Sequence, residues 1–188
     1  MIGVSPIPLI IVTVGVLIAA ATDIWKFRIY NALTLPLLLT GLLYHGVVNG
    51  LAGLGDSVLG ILFGFCILLL LYVMGGMGAG DVKLMAAVGA WLGMPLTFYV
   101  FVASSLAAGV YALVLMVLSQ GFADTAINFY IILLKLKSFG RHLGFDSRIE
   151  EEVKRDDRRR RLIPFAAMVA VGLAATYIWL HNGKLPIR

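Results

Sequence analysis

Residues 78–100 read GAGDVKLMAAVGAWLGMPLTFYV, an apolar run opened by a glycine-rich turn, an aspartate and a lysine. Whether this stretch crosses a membrane once or twice decides the topology of everything after it. Gly93, Met94 and Pro95 interrupt it. Proline lacks a backbone N–H and its ring crowds the carbonyl four residues back, so a break is expected there. Charge supplies the stronger argument. With a break, and with the N-terminus outside, thirteen of the fifteen Lys and Arg fall in inner loops: Lys26, Arg28, Lys83 and all those from Lys135 to Arg161. Only Lys184 and Arg188 fall outside. A single uninterrupted span would carry ten of those charges across the membrane, against the rule that Lys- and Arg-rich short loops stay cytoplasmic.

The composition demands a membrane. Of 188 residues, 61% are hydrophobic, where soluble domains average about 45–50%, and the mean hydropathy is +0.97. Six helical spans are expected, roughly Pro8–Thr22, Ala32–Val48, Val58–Met74, Val82–Met94, Leu96–Leu118 and Leu162–Leu180. The fold class is therefore all-α, a polytopic membrane protein of one domain over residues 1–188, with both termini outside. No internal repeat is visible. The fourth span is short: at about 1.5 Å per residue it rises only about 20 Å, less than the roughly 30 Å hydrocarbon core. Its start at Asp81 is thus expected below the membrane surface. No basic segment precedes the first apolar run, so that run is expected to remain as a membrane helix.

The cytoplasmic loop, about 119–161, has two parts. AINFYIILLKLK, Ala126–Lys137, is too short to span and reads as a helix in the inner interface. SRIEEEVKRDDRRRRL follows and ends in four arginines beside the last span. That placement assigns much of the net charge of +5 to anionic lipid. A nucleic-acid surface would interleave aromatics with the basic residues, and none is present; nucleic acid is not an expected partner. The acidic cluster Glu150–Glu152 could draw a basic peptide. The single cysteine, Cys66, lies in an apolar run without a CxxC pattern, so neither a metal site nor any other cofactor is expected.

Few ionisable groups lie near the membrane core, and such groups suggest function by default. Asp23 closes the first span and Asp81 opens the fourth. Asp56 reads as the N-cap of the third span, and Asp124 as part of a polar turn. Asp81 could equally be a helix N-cap, and Asp23 an ion-pair partner of Lys26 or Arg28. The pair is more informative than either member: both lie at inner ends of spans, at comparable depth. If the two spans pack together, the carboxylates converge. Adjacent carboxylates share one proton, which supplies a base to activate water and an acid to hydrogen-bond a carbonyl. Gly78 and Gly80 would let an extended substrate approach the backbone. Lys83, two residues past Asp81, points to another side of the helix and is assigned to the interface, near a lipid phosphate.

These residues resemble a known family. GAGDVKLMAAVGAWLG, Gly78–Gly93, is similar to the GxGD signature of type IV prepilin peptidases; TDIWKFRIYN, Thr22–Asn31, resembles that family's first catalytic segment; RRLIPFAAMVAVG, Arg160–Gly172, resembles the start of its last helix. The resemblance implies that Asp23 and Asp81 are the catalytic pair of an inner-membrane aspartic protease. It implies hydrolysis of a basic leader from a prepilin or pseudopilin precursor, after a glycine, at the cytoplasmic face. Full-length members carry a segment with paired cysteines and also methylate the new N-terminus. This sequence has one cysteine and resembles the short Flp/Tad-type or archaeal preflagellin form, for which peptidase activity without methylation is expected. Where many relatives place a proline before the asparagine, this chain has Tyr30 before Asn31. Two other classes compete. A proton-coupled transporter would use the same acids as ion ligands; a non-catalytic pilus or secretion-system component would use them only as caps.

Overall fold

The structure is a computed structural model and describes residues 6–26, 29–73, 77–118 and 164–182. The expected interfacial helix, the arginine run and Asp124 lie outside these residues. Every regular element among them is helical: α1 (Pro6–Lys26), α2 (Asn31–Val73), α3 (Ala79–Leu118) and α4 (Phe165–His181). The first three are long and apolar enough to cross a membrane, and α4 is a shorter apolar helix. By clustering of contacts the chain forms two units, Met1–Gly109 with Pro164–Arg188, and Val110–Ile163. Of the second unit the described part is the end of α3. The core and the site below belong to the first.

Two glycines break the long helices. Gly50 in α2 has φ 62° and ψ −150°, and Gly93 in α3 has φ 69° and ψ 175°. L-residues with a Cβ rarely adopt these conformations. Both helices fold back on themselves there. The Leu37 carbonyl accepts a 2.7 Å bond from Trp91 Nε1, and Ser57 Oγ donates a 2.7 Å bond to the Ala90 carbonyl. In a straight helix, residues 37 and 57 would be about 30 Å apart, so neighbouring residues of α3 could not meet both. The second break follows likewise from Phe63. Its ring meets Phe98 and Phe101 at centroid distances of 5.9 and 6.4 Å, while Gly60, three residues earlier, lies against Gly89.

The break at Gly93 is stabilised from outside its own helix. Pro95 has no N–H to offer the Trp91 carbonyl. His45 Nε2 takes that place at 2.8 Å, and Nδ1 of the same ring meets Asn49 Nδ2 at 3.2 Å. The amide nitrogen donates to Nδ1, so the Nε2 tautomer donates to Trp91. The first arm of α2 thereby holds one carbonyl at the break, and Ser57 of the second arm holds the next.

The interior is built from small residues. Gly60 and Gly89 face each other so closely that a Cβ on either would overlap the other's carbonyl. Ser104 of α3 lies against Gly172 of α4 in the same way. Around these contacts pack Val12, Val16 and Ala19 of α1, Leu84, Met85 and Val88 of α3, and Ala166, Val169 and Leu173 of α4. Large apolar side chains point outward instead, among them Leu43, Val47, Leu51, Leu62 and Leu106. Small inside and large outside is the pattern of helices that pack in lipid, where apolar burial does not drive association and close backbone approach does.

The expected boundaries shift in three places. The link between the second and third expected spans is helical on both sides of Gly50, because a single left-handed residue reverses the chain. Asp56 consequently lies inside the second arm of α2 and caps nothing. The fourth expected span begins earlier, at Ala79, and Asp81 is its third residue rather than its cap.

Candidate active site

Asp23 stands near the C-terminal end of α1, only 9% exposed. Its Oδ2 accepts the backbone N–H of Ala166 at 3.2 Å. Ala166 lies in the first turn of α4, where its amide has no partner in its own helix, whereas Ala167 and Met168 donate to the Pro164 carbonyl. The residue before that turn is Pro164, which offers no side-chain cap. Asp23 supplies what Pro164 cannot, in a position where the helix dipole favours negative charge. The sequence pattern placed Lys26 and Arg28 as candidate partners for Asp23. Lys26 lies instead over the ring of Tyr30, 5.7 Å from its centroid.

Asp81 is in the first turn of α3. Its Oδ2 accepts the Gly78 N–H at 3.3 Å, and its own N–H donates to the Gly78 carbonyl at 3.2 Å. Gly78 occupies the N-cap position and Asp81 reaches back to it from three residues on, as the acidic member of a capping box does. Gly80, between them, lies under Ile29: a Cβ there would sit 3.0 Å from the Ile29 Cβ and 3.5 Å from its carbonyl oxygen. Any larger residue would push the α1–α2 connection away from α3.

Both carboxylates open into one cleft of about 380 Å³. Its lining is Asp23, Ile29, Tyr30, Asn31, Gly78, Gly80 and Asp81. The two aspartates, 58 positions apart in sequence, are near enough for the charge of Asp23 to act on Asp81. The cleft therefore unites four residues singled out from the sequence: Asp23, Asp81, Gly78 and Gly80. Lys83 is not in the lining; its Nζ donates to Asn31 Oδ1 at 2.9 Å. Ile29, Tyr30 and Asn31 were not singled out. They enter because the α1–α2 connection folds over Gly80. The only available signal was their place in the segment that begins at Thr22.

Among the described residues, the lining holds no serine, threonine, cysteine or lysine side chain. Paired carboxylates in a cleft lined by two glycines can bind an extended chain, take a proton from water and give one to a carbonyl oxygen. Among the described residues, no group of three or more His, Cys, Asp or Glu could hold a metal ion.

A prepilin leader peptidase/N-methyltransferase of Aeromonas salmonicida is 39% identical over 114 residues, 57% of this chain and 39% of the relative. The protein of that name from Aeromonas hydrophila gives the same identity and coverage. A prepilin leader peptidase/N-methyltransferase of Neisseria gonorrhoeae is 37% identical over 99 residues, 48% of this chain and 34% of the relative. The matched stretch is thus well under half the length of these curated relatives. No solved structure matches. The pattern of the type IV leader peptidase family matches residues 10–113, a stretch that includes both aspartates and the whole cleft lining, and the chain belongs to that family.

Proposed function

We propose that this chain is an aspartic endopeptidase that removes the basic leader from prepilin-like precursors, cutting after a glycine at the cytoplasmic face of the inner membrane. The observation that carries the proposal is the convergence of Asp23 and Asp81 in one cleft whose described lining holds no serine, threonine, cysteine or lysine. With one proton between them, one carboxylate takes a proton from a water molecule as its oxygen attacks the scissile carbonyl. The other gives its proton to the carbonyl oxygen. The tetrahedral intermediate collapses when the leaving amine is protonated, breaking the C–N bond and returning the pair to its starting state. Gly78 and Gly80 let the substrate backbone come within hydrogen-bond reach.

The membrane placement follows from length and charge. At about 1.5 Å per residue, α2 would be about 65 Å long if straight, twice the hydrocarbon core. With hairpins at Gly50 and Gly93, α2 and α3 would cross twice each, for six crossings in all. Trp25, 82% exposed, and Tyr30, in the cleft lining, are aromatic side chains of the kind that sit among headgroups. Lys26 and Lys83 lie toward the same end, which the positive-inside rule assigns to the cytoplasm. A substrate with a basic leader and an apolar segment would straddle that boundary, with its scissile bond at the aspartates.

Co-expression with a precursor carrying a basic leader, a glycine and an apolar segment tests the proposal. The expected result is a shortened product whose new N-terminus follows the glycine, absent with Asp23→Asn and with Asp81→Asn. Normal cleavage by either variant would exclude the paired mechanism. The product's mass also reads whether the new N-terminus is methylated.

A further inference from the structure

We infer that the side-chain amide of Asn31 is the cleft's donor to the substrate backbone, and that Lys83 holds it in that orientation. The inference rests on the cleft being the peptide-binding site. Lys83 Nζ lies 2.9 Å from the Asn31 side chain. An ammonium group has three donors and no acceptor, so the amide oxygen must face it. The NH₂ end is thereby turned away from Lys83, and no described residue accepts from it. Asn31 also lines the cleft.

An extended peptide presents carbonyls and N–H groups alternately. The aspartates offer acceptors and, between them, one proton. Of the other described lining residues Tyr30 and Asn31 carry a side-chain donor, and of these the Asn31 amide is the one whose orientation a hydrogen bond fixes, from Lys83. Asn31 is therefore the donor suited to a substrate carbonyl beside the scissile bond. A free amide could turn end for end and present its oxygen to that carbonyl, which would repel. The ammonium prevents this by binding the oxygen. Lys83 is thus a positioning residue. It also bridges the start of α2 to the second turn of α3, near where Ile29 lies over Gly80.

The test separates donor from bridge. Asn31→Asp is nearly isosteric and keeps an oxygen for Lys83, but removes the NH₂ group. Binding of a fluorescent peptide with leader, glycine and apolar segment would be measured in detergent by anisotropy. The Asp81→Asn protein serves as background, so that the peptide stays intact and the added charge does not act on an ionised Asp81. We expect Asn31→Asp and Asn31→Leu each to weaken binding about tenfold. Lys83→Met should weaken it about threefold, and Lys83→Arg, which keeps a donor, should not. In the otherwise wild-type enzyme, Asn31→Leu should raise KM by about the same factor and leave kcat within about twofold. Unchanged binding with Asn31→Asp would overturn the donor role, and equal binding by Lys83→Met and wild type would overturn the positioning role. A peptide that binds but is cut by Asp81→Asn overturns the aspartic reading and leaves the Asn31 result to stand on binding alone. A wild type that neither binds nor cuts overturns both.

Discussion

Asp23 accepts a hydrogen bond from the backbone N–H of Ala166, 143 residues away in sequence, so one proposed catalytic carboxylate also fastens the last helix to the first. Asn keeps a side-chain oxygen for that bond, whereas Ala keeps nothing. Asp23→Asn should therefore melt in detergent within about 1 kcal/mol of wild type, and Asp23→Ala should lose about 1–3 kcal/mol for the unpaired amide. Both should lose cleavage by about a hundredfold or more, the usual contribution of a positioned acid or base. Melting curves paired with a cleavage assay separate the two roles. Retained activity in Asp23→Asn would leave the carboxylate with its structural role alone.

Asp81 gives a parallel test with a different structural partner. Its bond to the Gly78 N–H needs only an oxygen, and Asn serves helix N-termini almost as well as Asp. Asp81→Asn should insert and fold normally and fail to cleave. An assembly protein that used Asp81 only to organise the turn would tolerate the change. A transporter would lose proton-linked uptake in proteoliposomes instead, while never having cut a precursor.

Much of this arrangement could be read from the sequence, and the remainder could not for definable reasons. Asp23 and Asp81 stand out because ionisable side chains are costly near apolar spans, and the break at Gly93 was signalled by Pro95. The reversal at Gly50 was blurred by Gly53, Gly55 and Asp56. Those residues together look like a loop, yet one positive-φ glycine makes the turn and the others continue the helix. Long-range side-chain partners are invisible in local patterns. Nothing near Lys83 announces Asn31, 52 positions away, and nothing near Ser57 announces the Ala90 carbonyl.

His45 illustrates the last point and yields its own prediction. The carbonyl of Trp91 has lost its helical donor to Pro95, and His45 Nε2 replaces it. Substituting His45 by Leu would leave that carbonyl and the amide of Asn49 without their partner. We expect a loss of about 1–3 kcal/mol, with cleavage otherwise intact because the break lies far along α3 from Asp81. His45→Gln, which retains a donor, should recover part of the loss. A melting temperature unchanged by His45→Leu would show that the Trp91 carbonyl finds another donor.

The contact between Gly60 and Gly89 permits the sharpest test of how the second arm of α2 meets α3. Each backbone occupies the space where the other's Cβ would be, and the obstacle on both sides is a carbonyl, which cannot rotate away. Gly60→Ala must therefore move one helix against the other. Overpacking of this kind costs about 1–3 kcal/mol. The displacement would reach the start of α3, because Gly64 lies against the Met85 backbone one turn beyond Asp81. Gly60→Ala should accordingly lower both melting temperature and cleavage, without touching either aspartate. Gly55→Ala is the control: nothing lies within 4 Å of a Cβ at that position, and replacing glycine by alanine in a helix favours folding by about 1 kcal/mol. Equal behaviour of the two variants would mean that the helices do not approach as closely as the glycine pair implies.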